Sequence, residues 1–276
     1  GLLLIWEQMQ WILIAAKCKK YREIVVAIKH QERLKDVQTI KSQFESLNYI
    51  CSEEIATAVY LAYHLEKPVL IEGPPGVGKT ELAKTTADML DLTCIRLQCY
   101  EGLDESKAIY EWKYGKQLLY TQVLKETLGE VLQGAKGLSE SVKKLQSFGD
   151  IFFSEEFLEP RPLLKALKEK DSCVLLIDEV DKSDHEFESL LLEILSDFQL
   201  SIPEIGTVRA KKDKKPIVFL TSNNTREISD ALKRRCLHLY IPFPEAQLER
   251  QIVQARVPKI SDQLNKQLVS FIQELR

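Results

Sequence analysis

Gly73-Pro74-Pro75-Gly76-Val77-Gly78-Lys79-Thr80 satisfies the phosphate-loop pattern Gly-x4-Gly-Lys-[Ser/Thr] in full, and its setting decides the fold. Before it, Pro68-Val69-Leu70-Ile71-Glu72 reads as a short buried strand with proline at the first position, where no ladder donor is lost. After it, Leu82, Ala83, Ala87 and Leu90 recur at helical spacing. Strand, glycine-rich loop and helix in that order make an anion cradle. The glycines let successive N–H groups converge, and the helix presents unpaired N–H groups and the positive end of its dipole. A nucleoside triphosphate is the ligand this pattern predicts. Lys79 would reach the β and γ phosphates, the Thr80 hydroxyl would ligate Mg2+, and Glu81 closes the nucleotide-contacting run.

Further on, Ser172-Cys173-Val174-Leu175-Leu176-Ile177 is a continuous apolar run of the kind buried on both faces of a parallel sheet, and it ends in Asp178-Glu179. Neighbouring carboxylates at a strand end point to opposite sides. One can hold the Mg2+ shell while the other faces the γ-phosphate: Asp178 is the metal-side candidate and Glu179 the base that polarises the attacking water. Pro216-Ile217-Val218-Phe219-Leu220 is a second buried strand, followed by Thr221-Ser222-Asn223-Asn224. In a parallel sheet an amide at that end would sit beside the Asp178 strand end; the Asn-Asn pair also reads as turn formers.

Together with Arg234-Arg235-Cys236, these segments resemble an AAA+ ATPase, more narrowly the MoxR branch, and the wording from Thr221 to Cys236 is similar to its CoxD-like members. The resemblance covers residues 41–276. It implies an α/β P-loop NTPase fold with a five-stranded parallel sheet sandwiched by helices, ordered 5-1-4-3-2 along the chain's own count, and a partial C-terminal helical lid. It also implies Mg2+-dependent ATP hydrolysis in a ring, a hexamer, with a VWA-domain or other client protein as partner and metalloenzyme maturation as one outlet. Asn223 matches the sensor-1 position, and Arg235 the arginine finger given to a neighbouring subunit, with Arg234 its rival by one register. The expected organisation is an N-terminal helical appendage over 1–41, the nucleotide-binding core over 42–241 and the start of the lid over 242–276, with the sensor-2 arginine past residue 276. The stretch from Cys99 to Lys170 exceeds what a βαβ crossover needs and holds an insertion, expected at the pore-facing helix-2 position. Within it, 115–121 looks like a turn into a short strand, 124–132 and 138–145 look helical, 151–153 could be a returning strand, and Glu159-Pro160-Arg161-Pro162 restarts a helix. Residues 199–210 read as two short strands around Glu204-Ile205-Gly206, at the place of the pre-sensor-1 hairpin.

Composition excludes more than it assigns. The chain of 276 residues carries 38 Lys plus Arg against 41 Asp plus Glu, a net charge of −3, so no specific nucleic-acid partner is expected. Lys211, Lys212, Lys214 and Lys215 form a local cluster, read as a solvated loop tip, with a DNA-contacting hairpin as the sharper alternative. Six cysteines without a Cys-x2-Cys pair and four scattered histidines point to a reducing, cytoplasmic setting and no cysteine metal site. Apolar stretches at 2–6 and 11–16, interrupted by Glu7-Gln8-Met9-Gln10, are too short for a membrane span. A helix that packs on a partner is preferred there, with membrane-surface contact as the alternative. Asp181-Lys182-Ser183-Asp184 mimics a guanine motif but lacks its leading Asn. Two other functions stay in view, a nucleic-acid motor of the same superfamily and a nucleotide-gated scaffold with little turnover.

Overall fold

Cys173–Asp178 and Ile217–Ser222 are buried at every position, and the fold is built around them. The computed structural model describes residues 28–120, 122, 155–203 and 205–276. In chain order, helices α1 (Val37–Ser46) and α2 (Glu53–His64) precede strand β1 (Val69–Glu72), helix α3 (Lys79–Leu90) and strand β2 (Thr93–Gln98). Short strands β3 (Tyr110–Trp112) and β4 (Leu158–Pro160) follow, then helix α4 (Pro162–Lys168), strand β5 (Cys173–Asp178) and helix α5 (His185–Asp197). Strands β6 (Gln199–Ile202) and β7 (Gly206–Arg209) come before β8 (Ile217–Ser222), helix α6 (Asp230–Lys233) and strand β9 (Leu237–Tyr240). Helices α7 (Ala246–Arg256) and α8 (Asp262–Leu275) complete the described chain.

The main sheet is parallel throughout, in the order β2-β5-β8-β1-β9. Counting its five strands along the chain, this is the order expected from the sequence. Its cause is visible in the strands: β5 and β8 are apolar on both faces and take central places, whereas β2 and β9 expose alternate residues and lie at the edges. Register then aligns the carboxyl ends, with Gln98 opposite Asp178 and Glu72 opposite Ser222. In open α/β sheets ligands bind outside those ends.

Contacts gather the described residues into two units, one from within Gly1–Leu65, Thr85–Asp91 and Pro244–Arg276, the other from within Glu66–Lys84 and Leu92–Phe243. The second unit holds the sheet and a continuous core in which Leu175, Ile177, Val218 and Leu220 meet Leu163 and Leu164 of α4 and Leu191 and Ile194 of α5. Two antiparallel ribbons, β3-β4 and β6-β7, decorate it. In the first unit, Asp36 and Ser52 cap α1 and α2 through Thr39 N and Ile55 N. There α7 and α8 are tied by Asn265 Nδ2 donating to Arg250 O (3.1 Å) and by Gln273 and Arg276 donating to Glu249.

Two local expectations are corrected. Residues 114–120 are helical, where a turn into a strand was expected. Leu118 and Leu119 there are exposed, so their apolar run marks no buried strand. Leu158–Pro160, at the start of the expected helix restart, pairs as a strand with Tyr110–Trp112, and the helix begins at Pro162. The elements expected over 124–132, 138–145 and 151–153, like the apolar segments before residue 17, lie outside the described residues. Among the described residues no helix is long and apolar enough to cross a membrane. Cys51, Cys99 and Cys173 are buried and unbridged, and burial pushes the thiols of Cys99 and Cys173 up to about 12. They act as small hydrophobes.

Candidate nucleotide-binding site

At the carboxyl ends of β1, β5 and β8 a cleft of about 310 Å3 is lined by Pro75, Gly76, Gly78, Lys79, Thr80, Glu81, Asp178, Glu179, Thr221 and Asn223. The loop after β1 is shaped by close approach: a Cβ on Gly73 would meet the carbonyl oxygen of Ile241 at 2.1 Å, so only glycine passes there. Gly76 and Gly78 take positive φ of 82° and 94°, which turns the loop amides inward. Gly73, Pro74 and Val77 complete the loop without lining the cleft.

Lys79 is buried, and its ammonium donates to Gly73 O (2.6 Å), Pro74 O (2.8 Å) and Asn223 Oδ1 (2.7 Å). Burial holds its pKa below the usual lysine range, against the opposing pull of Asp181, Asp178 and Glu179. Asp178, 2% exposed, accepts from the hydroxyls of Thr80 (3.1 Å to Oδ1, 3.3 Å to Oδ2) and Thr221 (2.5 Å to Oδ1). Thr221 Oγ1 in turn accepts from Glu179 N (2.9 Å) and so joins the two strand ends. Glu179 sits in the left-handed region at φ 58°, uncommon for a residue with a side chain and held here by its surroundings. Its carboxylate accepts from Gln98 Nε2 (2.8 Å) and Asn223 Nδ2 (3.4 Å) and pairs with Lys182 at 2.7 Å. One amide, Asn223, therefore bridges Lys79 and Glu179.

Behind the cleft, Asp181 Oδ2 accepts from Asn223 N (3.2 Å), Thr225 N (3.0 Å) and Thr225 Oγ1 (2.6 Å). Burial raises its pKa, but these donors outweigh it and the carboxyl titrates below its ordinary 3.8. Asp184 caps α5 through Phe187 N (2.8 Å). Both acids of the guanine-like motif are thus spent on the fold. Lys214 pairs with Asp171 and Lys215 with Glu66, so half of the basic cluster is internally neutralised.

The structure brings Lys79, Thr80, Glu81, Asp178, Glu179 and Asn223 together. Arg234 and Arg235 are not among the lining residues; Arg235 Nε donates to Ser196 Oγ (2.6 Å) and Nη1 to Ala231 O (2.9 Å). Sequence reasoning missed Gln98, Thr221, Arg96 and Lys182. A signal existed for two of them: Gln98 and Thr221 are polar residues at the carboxyl ends of sheet strands.

Residues 68–236, more than half of the chain, match the model of the AAA domain, dynein-related subfamily. The chain belongs to that family. The AAA match begins at the strand before the phosphate loop and ends at the arginine doublet's Cys236, so it spans every candidate residue above. Relatives of this AAA chain include an uncharacterized protein of Staphylococcus aureus strain USA300, 24% identical over 219 residues, 78% of this chain and 70% of the relative. One from the bovine strain RF122 is 25% identical over the same length and coverage. Among solved structures, that of a provisionally named ATPase from Cytophaga hutchinsonii ATCC 33406 aligns with a TM-score of 0.48 at 17% identity, covering 94% of this chain and 67% of that one.

A hard divalent cation suits the oxygens at the cleft. Mg2+ keeps most of its waters and takes one or two protein oxygens beside substrate phosphates. The Thr80 hydroxyl and the Asp178 carboxylate, in contact and facing the cleft, are such a pair. Among the described residues no group of three or more His, Cys, Asp or Glu side chains forms a metal cage.

Proposed function

We propose that this AAA chain is a Mg2+-dependent ATPase of the MoxR branch that works in a ring to remodel or activate a partner protein. The observation that carries the catalytic part is the convergence of Lys79, Thr80, Asp178, Glu179 and Asn223 on one cleft. Phosphate oxygens offer Lys79 charge-assisted bonds stronger than those it makes with the carbonyls of Gly73 and Pro74. Thr80 and Asp178 would hold Mg2+, which neutralises charge on the β and γ phosphates. Glu179 accepts hydrogen bonds from two amides and an ammonium, and its carboxylate faces the cleft where an attacking water would be oriented. Asn223 sits between phosphate-side Lys79 and water-side Glu179, as a γ-phosphate sensor must.

Arg235 is proposed as the finger for a neighbouring copy and Arg234 as its rival, since neither lines its own cleft. The partner is proposed to be a VWA-domain or client protein, engaged through the insertion after β2 and the β6-β7 ribbon. The neutralised lysines favour that reading over a nucleic-acid motor.

Phosphate release from Mg-ATP, set beside ATP affinity, tests the proposal. Lys79→Ala is expected to lose ATP binding at least about a hundredfold, because its charge-assisted contacts to the β and γ phosphates would contribute about 1.5–3 kcal/mol each. Undiminished ATP binding by that variant would sink the site assignment. In the same assay, Arg235→Ala chains mixed with Glu179→Gln chains should regain activity; no recovery, with Arg234→Ala the more damaging change, moves the finger by one residue.

A further inference from the structure

Arg96 lies on β2, two residues before the strand end, and the parallel register of β2 with β5 sets Gln98 opposite Asp178. From there the guanidinium reaches the carboxylate assigned to the metal: Nε donates to Asp178 Oδ2 at 2.9 Å, and Nη2 lies 2.6 Å from the same oxygen. Nη2 also donates to Gln98 Oε1, and Gln98 Nε2 in turn donates to Glu179. The Arg96 side chain is about half exposed, whereas that of Asp178 is 3% exposed. Oδ1 of Asp178 is engaged by Thr221 and Thr80, and Thr80 also reaches Oδ2 at 3.3 Å, so Arg96 and a cation held beside Thr80 would draw on one carboxylate.

We infer that Arg96 sets the metal affinity of the site, weakening the hold of Asp178 on a divalent cation by sharing its negative charge. This rests on the Mg2+ role proposed for Thr80 and Asp178. A fixed positive charge within a few ångströms of a doubly charged ion repels it appreciably even at high effective dielectric. The carboxylate's position does not depend on the arginine, since the hydroxyls of Thr80 and Thr221 both donate to it. Removing the charge therefore strengthens metal binding instead of disordering the ligand. Arg96 is thus a tuning residue that acts on the cation through Asp178.

The test measures free Mn2+ by its EPR signal in the presence of ADP, with ADP affinity in EDTA as the control. Arg96→Met is expected to bind Mn2+ in the ADP complex about tenfold more tightly than the wild type. Arg96→Lys, which keeps the charge, should stay within about threefold of the wild type. ADP affinity in EDTA should be alike in all three. Should Arg96→Met fail to fold by circular dichroism, Arg96→Gln carries the same expectation. Unchanged or weaker Mn2+ binding in a folded, charge-removed variant overturns the inference while leaving the metal site standing. A wild type whose ADP complex retains no Mn2+ overturns the metal assignment of Asp178 and this inference with it.

Discussion

Asp178 ends strand β5 with Glu179 directly after it, and Asp181 and Glu188 follow in the connection and the first turn of α5, yet the two pairs of acids do different work. The carboxylates of Asp178 and Glu179 accept from side chains: Thr80, Thr221 and Arg96 on the first, Gln98, Lys182 and Asn223 on the second. Asp181 and Glu188 also take backbone N–H groups, those of Asn223 and Thr225 and that of Ser229 (3.0 Å), beside the Thr225 hydroxyl on the first and Arg226 on the second. A bond from a side chain can be exchanged for a ligand by a rotamer change. A bond from the backbone fixes a chain segment. The first pair faces the cleft, and the second fastens the segment 223–229 that carries Asn223 at one end and leads to the arginine doublet at the other.

If this division holds, the second pair should matter most for stability. Asp181→Asn and Glu188→Gln are each expected to cost about 1–3 kcal/mol in urea unfolding, since a buried donor loses a charged acceptor. The penalty should depend on pH with a definite sign. Burial raises both pKa values, but the bonds from Thr225 and Asn223, and from Ser229 and Arg226, outweigh it, so both acids titrate below their ordinary 3.8 and 4.5. Groups depressed in the folded state stabilise it fully above those ordinary values and lose that contribution as pH falls through the lower folded ones. The gap between wild type and variants should therefore be constant from neutral pH down to about 5 and close in stronger acid; a gap that widens on acidification would break the comparison.

A smaller effect is expected from the β6-β7 ribbon. It is bound to α5 through Ser201 Oγ donating to Glu193 (2.8 Å), and it contributes no residue to the cleft. Deleting residues 201–209 should change ATP affinity less than about threefold while abolishing stimulation by a protein partner, an insertion-specific loss. A large loss of ATP affinity would show that the ribbon serves the site and not the partner.

Which parts were legible in the sequence follows from chain distance. The phosphate loop and Asp178-Glu179 need contiguous residues, so their chemistry is written locally, and the apolar runs at 173–177 and 217–220 disclosed the central strands. A parallel sheet brings strand ends together and so placed an amide beside Asp178, while the choice of Asn223 came from the family resemblance. Thr221 is 43 residues from Asp178 and Arg96 is 82; the threonine's place at a strand's carboxyl end was a signal, whereas nothing local distinguishes that arginine from others. The β3-β4 ribbon joins three-residue strands from either side of the insertion, one ending in Pro160, which by itself reads as a helix start. At 114–120 the run Leu118-Leu119-Tyr120 suits strand or helix alike; Leu118 and Leu119 are exposed, and a contact that ties the segment down, Tyr120 edge-on to Phe157 with ring centroids 5.2 Å apart, comes from a distant residue.

The central claim is that Glu179 activates water for attack on a bound triphosphate without holding that triphosphate in place. ATP affinity and phosphate release, measured side by side on the wild type and Glu179→Gln, test it most directly. Affinity should stay within about threefold of the wild type while turnover falls by about 10² to 10⁴, the range a positioned general base contributes. Equal turnover in the two proteins, with ATP bound equally well, would contradict it.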